Sequence, residues 1–99
     1  IGGGNIRVDV INGLRVDFTG ESNTILVLHR DKPGMIALVT QIMYDKYKDL
    51  NIGNFRLSRP EKGGTALMTI EIDQLPPKEL LEDINALPVV ENAILIRAI

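Results

Sequence analysis

The chain has 99 residues, 44% of them hydrophobic and 24% charged, and a net charge of -2, which suits one small globular domain. Charges of both signs are interspersed, which excludes the basic stripe of a nucleic-acid binder, and aromatic residues at 4% leave little for a base-stacking sheet. Without cysteine the chain carries no disulfide, no thiolate nucleophile and no iron–sulfur ligand.

No apolar run approaches the length that spans a bilayer. The chain opens on Ile1 instead of Met, and no charged-then-apolar leader follows. It reads as an excised fragment of a longer protein, and the lack of cysteine is compatible with the expected cytoplasmic location.

After a glycine-rich start, Ile6, Val8, Val10 and then Leu14, Val16, Phe18 alternate around Asn12-Gly13, which signals a hairpin. A two-residue loop pairs Ile11 with Leu14 and sets Asp9 opposite Val16 and Arg7 opposite Phe18, mixing charge with apolar groups. A three-residue loop pairs Val10 with Leu14, Val8 with Val16 and Ile6 with Phe18, separating the two kinds of face. The second register is preferred, with Gly13 in a left-handed bulge.

A polar link over 19–23 leads to a strand from Thr24 to about Arg30. Lys32 precedes a proline and is pushed away from helix, and Pro33 fits the first helical position. The helix that follows carries Ile36, Val39, Met43, Tyr47 and Leu50 on one face. Met35, Leu38 and Ile42 widen that stripe, as core or as a flank against a second subunit.

A second strand is expected over 51–60, with Ile52, Asn54, Arg56 and Ser58 on one face and Gly53, Phe55, Leu57 and Arg59 on the other. A turn at Glu61-Lys62-Gly63-Gly64 leads to a strand over 65–73 with Ala66, Met68, Ile70 and Ile72 on its apolar face. Pro76-Pro77 opens a second helix with a Leu80, Leu81, Ile84, Leu87 stripe, and Pro88 stops it. A last strand spans about 90–98. The order β-α-β-β-α-β defines an α+β, ferredoxin-like fold with an N-terminal β-hairpin.

The densest chemistry lies at His29-Arg30-Asp31-Lys32-Pro33-Gly34, where a strand meets a helix N-terminus whose N–H groups attract anions. His29, the only histidine, is either a ligand contact at the strand end or a rim residue. Asp31 is either a helix cap or the partner of a ligand amine. Gly34 either lets a ligand approach the backbone or makes a tight turn. Asn51 offers an amide that donates and accepts, as an amino acid requires; otherwise it is the turn residue that ends the first helix. Arg56, Arg59 and Lys62 form a solvated rim or a partner-domain contact.

The glycines at 2–4 and 63–64 lack the Lys-Ser/Thr of a phosphate loop. Ser22 and Ser58 have no triad partners, and no metal-ligand spacing appears. The chain alone is expected to have no catalytic residue.

His29-x-Asp31-x-Pro33-Gly34 at the first strand–helix junction, with Asn51-Ile52 opening the next strand, resembles the ACT domain family. The resemblance covers 24–99 and makes 1–23 a hairpin and linker left from a preceding domain. It implies an amino-acid-sensing regulatory module that pairs side by side as a homodimer, with ligand between the first loop of one subunit and the second-strand region of the other. Ile1-Gly2-Gly3-Gly4-Asn5-Ile6, Ile11-Asn12-Gly13 and 58–64 followed by 66–71 are similar to the C-terminal part of the β subunit of iron–sulfur-dependent bacterial L-serine dehydratases. That likeness implies a catalytic α part holding the [4Fe-4S] cluster and a parent that converts L-serine to pyruvate and ammonia, in gluconeogenic metabolism. The regulatory end of D-3-phosphoglycerate dehydrogenases, a serine-sensing ACT domain, is similar in the same motifs. By this resemblance the ligand-binding residues are His29, Asp31, Gly34 and Asn51. Asp31 departs from the serine-sensing ACT domains, which have an amide there.

Overall fold

A computed structural model describes residues 22–59 and 64–98 in full, and 7–11 and 14–18 as paired backbone. Eight elements follow in chain order: β1 (Arg7–Ile11), β2 (Leu14–Phe18), β3 (Asn23–Arg30), α1 (Met35–Lys46), β4 (Ile52–Ser58), β5 (Thr65–Ile72), α2 (Lys78–Asn85) and β6 (Val90–Ile96). β3 to β6 form one antiparallel sheet in the order β4-β5-β3-β6. The two inner strands are β3 and β5, and β4 and β6 are edges. This is the expected ferredoxin-like arrangement.

The core lies between the sheet and the helices. Ile25 and Val27 of β3, Met68, Ile70 and Ile72 of β5, Ala93 of β6, Val39 and Met43 of α1, and Leu80 and Ile84 of α2 pack into one cluster. α2 keeps the expected stripe, with Leu80 and Ile84 buried and Leu81 and Leu87 packed beside them. It begins after Pro77, whose missing N–H costs nothing at a helix entry. Asn85 ties its end to β6: Oδ1 accepts from the Ala93 N–H at 2.9 Å and Nδ2 donates to the Ala93 carbonyl at 3.1 Å.

Three expectations are corrected. α1 starts at Met35, not Pro33, because Gly34 takes φ 82° and the backbone turns left before the helix. Its buried line is therefore Met35, Val39 and Met43, while Ile36 and Leu38 are 43% and 46% exposed. The hairpin pairs Ile11 with Leu14, Asp9 with Val16 and Arg7 with Phe18. That is the two-residue register; Asn12 and Gly13 themselves lie outside the described residues. The preference of Asn-Gly for a two-residue loop outweighs separation of the faces.

β5 is buried from Ala66 to Ile72 without alternation. Leu26, Leu28 and Leu67 make a second cluster, joined by Ile96. These residues have the opposite parity to Ile25, Val27 and Met68, so they occupy the face away from the helices. β2 comes alongside β5.

Candidate functional site

The end of β3 is fixed on both sides. The Arg30 N–H donates to the Val89 carbonyl at 2.9 Å, and the Asp31 N–H donates to the Gly64 carbonyl at 2.8 Å. The β3–β6 register slips between Leu28 and His29, a bulge that re-aims the side chains at the strand end. Lys32 and Pro33 then lead into the left-handed Gly34. No side chain caps α1 and no acidic residue lies in its first turn, so the N–H groups of Met35, Ile36 and Ala37 have no intrahelical partner.

These residues line a cleft of about 630 Å³, with His29, Asp31, Gly34, Leu57 and Arg59 on its walls and the first turn of α1 at one side. His29 is 1% exposed. Its Nδ1 lies 2.8 Å from the Arg30 carbonyl, which only accepts, so Nδ1 carries the proton and Nε2 presents a lone pair. Among the described residues, Nε2 has no hydrogen-bond partner. A buried acceptor left without a partner costs about 1–3 kcal/mol, so a residue that lines the cleft carries an unsatisfied polar atom that a hydroxyl or ammonium hydrogen would satisfy.

Asp31 does not cap α1, whose N-cap is Gly34. Instead Arg59 Nε donates to both carboxylate oxygens, at 3.1 and 3.0 Å. The Asp31 side chain is 11% exposed and that of Arg59 45%. The pair bridges the loop after β3 to the end of β4. Gly34 has nothing within 4 Å of where a Cβ would stand, so its requirement is the positive φ and not space.

Asn51 lies elsewhere. Its Nδ2 donates to Asp73 Oδ2 at 2.7 Å and its N–H to Gln74 Oε1 at 2.9 Å. It lines a separate hollow of about 340 Å³ with Tyr44, Tyr47 and Lys48. The cleft is at the start of α1 and the end of β4, and Asn51 is at the opposite end of both. A 12-residue helix spans about 18 Å, so one chain brings together His29, Asp31 and Gly34 but not Asn51.

Sequence reasoning left Arg59 in a solvated rim. The signal was strand parity: Arg59 shares a face with Phe55 and Leu57, which pack on the core, just as His29 shares one with Ile25 and Val27.

No group of three or more His, Cys, Asp or Glu side chains among the described residues could hold a metal ion. The cysteine-free chain also lacks the thiolates that an iron–sulfur cluster takes. No helix among the described residues is long and apolar enough to cross a membrane.

No family model matches the chain. It is 39% identical over 88 residues to the probable L-serine dehydratase beta chain of Bacillus subtilis, covering 89% of this chain and 39% of that protein. Identity is 30% over 74 residues to the L-serine dehydratase beta chain of Peptoniphilus asaccharolyticus, covering 75% of this chain and 32% of that protein. D-3-phosphoglycerate dehydrogenase of Bacillus subtilis is 30% identical over 82 residues, which are 83% of this chain and 15% of that enzyme. The chain thus spans about two fifths or less of the relatives it matches. In sequence it is similar to a stretch common to L-serine dehydratase beta chains and D-3-phosphoglycerate dehydrogenases, both ACT-containing families, and its ferredoxin-like fold is consistent with an ACT domain.

Proposed function

We propose that the chain is the amino-acid-binding regulatory domain of an L-serine dehydratase, with L-serine as ligand and a side-by-side homodimer as its working form. The observation that carries this reading is the buried, unpartnered Nε2 of His29 at the wall of the cleft. The ligand's hydroxyl donates to Nε2, its ammonium lies toward Asp31, and Gly34 lets it approach the backbone. The domain does no chemistry. It favours one arrangement of the parent, a cytoplasmic lyase giving pyruvate and ammonia, by binding that arrangement more tightly. The [4Fe-4S] cluster and catalytic residues belong to the partner α part.

Pairing brings in Asn51. β4 is an edge strand that begins beside Asn51 and ends beside Arg59. Antiparallel pairing of β4 with its copy sets Asn51 of the partner subunit next to the cleft. Exposed Ile36 and Ile52 then gain cover along the joined edge, and a bare edge strand favours such pairing.

The likeness to D-3-phosphoglycerate dehydrogenases supports the same ligand in a different parent. Within Bacillus subtilis the identity is 39% to the dehydratase beta chain and 30% to the dehydrogenase, which favours the dehydratase. The carboxylate at Asp31, in place of the amide of serine-sensing ACT domains, favours a second reading: a pairing module without ligand. Calorimetric titration separates the two. We expect saturable heat with L-serine, at least tenfold weaker binding of D-serine, and no binding by His29→Ala. A folded dimer that gives no heat with L-serine establishes the ligand-free module instead.

A further inference from the structure

Arg59 has no role in the site so far beyond its contact with Asp31. Its Nε is committed to that carboxylate. Its Nη groups donate no hydrogen bond among the described residues, and the side chain is 45% exposed where it lines the cleft. A guanidinium held at Nε has its orientation fixed and its outer N–H pair turned away from the holding group. The residues that line the cleft thus include an anchored guanidinium, the carboxylate that anchors it, and a histidine whose Nε2 is buried and unpartnered.

That arrangement matches a zwitterion. A ligand carrying both charges on one carbon needs a cation and an anion a few ångströms apart, and Arg59 with Asp31 supplies them. The loose N–H groups at the start of α1 add donors on the carboxylate side. Asp31 is therefore not a defective amide. A carboxylate cannot donate to a ligand carboxylate, and the guanidinium that neutralises it can.

We propose that Arg59 is the carboxylate-recognising residue of this cleft and the determinant that restricts it to free α-amino acids. The proposal rests on the amino-acid-binding reading above. It moves carboxylate recognition from an amide to a guanidinium of the same chain.

The test is the preference for L-serine over L-serinamide, which keeps the hydroxyl and ammonium and lacks the carboxylate. Both are titrated into the chain and its variants and followed by NMR shifts up to millimolar ligand. The unaltered chain prefers L-serine by about 30-fold or more, the size of one charge-assisted contact. Arg59→Gln brings the preference to within about threefold, and Arg59→Lys, which keeps the charge without the fork, leaves an intermediate value. Should Arg59→Gln fail to fold by circular dichroism, Arg59→Lys carries the test with a preference lowered about fivefold. A preference unchanged in the variants, with both ligands weakened equally, makes Arg59 only a brace for the loop and overturns the proposal. If the unaltered chain binds no L-serine, the amino-acid-binding reading fails and this assignment fails with it.

Discussion

His29 and Tyr47 show how one hydrogen bond decides what a side chain can do. In His29, donation from Nδ1 to the Arg30 carbonyl leaves Nε2 as a buried acceptor on a residue that lines the cleft. In Tyr47 the hydroxyl is the donor, to Asp83 Oδ2 at 2.8 Å. Losing that proton would remove the hydrogen bond and place a phenolate beside a carboxylate. The hydrogen bond to Asp83, burial and the Asp83 charge therefore push the Tyr47 pKa up from 10.0 to about 12. The sign of the consequence follows. Folding favours the protonated phenol, so this contribution is fully present below pH 10.0, the unfolded value, and is lost as pH rises through about 12. Denaturant titrations between pH 9 and about 12 should show stability falling across that window, and Tyr47→Phe should flatten the fall. An equal slope in the variant would mean the Tyr47–Asp83 contact does not persist in solution.

Among the elements, α2 carries the clearest link from pattern to energy. Leu80 and Ile84 are both 0% exposed and four residues apart, on one helical face. Leu80→Ala should lower stability by about 2–5 kcal/mol, the usual range for a buried leucine that leaves a cavity; thermal melts measure it, and a shift under 1 °C would mean that α2 is not docked. This stripe was legible in the sequence because a run of apolar residues at helical spacing, bounded by prolines, has one reading. The order of strands and helices was legible for the same reason. α1 starts two residues later than expected, and its buried line opens on Met35 instead of Ile36. Its apolar residues are so many that the stripe alone does not choose between Ile36 and Met35. The choice is made by Gly34, whose left-handed turn sets the helix start. The hairpin register was misread because facial separation was weighed above the Asn-Gly loop. Burial of Leu26, Leu28 and Leu67 on the sheet's other face is a property of tertiary contact, not of the alternation within a strand.

At the scale of the molecule, the site is half legible. His29, Asp31 and Gly34 lie within six residues of one another in the chain, so any fold that makes this strand–helix junction gathers them. Arg59 arrives from the far end of β4, across β5, and its contact with Asp31 depends on the sheet order β4-β5-β3. Asn51 is separated from the cleft by the whole length of α1 and of β4. A single chain therefore brings together His29, the Asp31–Arg59 pair and a helix start, and in the proposed dimer the second chain brings the amide. The proposed ligand site and the proposed dimer are for that reason one claim.

The most direct measurement of that claim is backbone and imidazole NMR of the labelled chain during titration with L-serine. Saturable shifts in the His29 ring, in the amides of 31–37 and Arg59, and together with them in Asn51 and Ile52, are the predicted result, because the two groups meet only across a pair of subunits. Shifts confined to another surface, or none at millimolar L-serine, would contradict the amino-acid site. Shifts at the cleft with Asn51 and Ile52 silent would contradict the shared site while leaving the cleft as the place of binding.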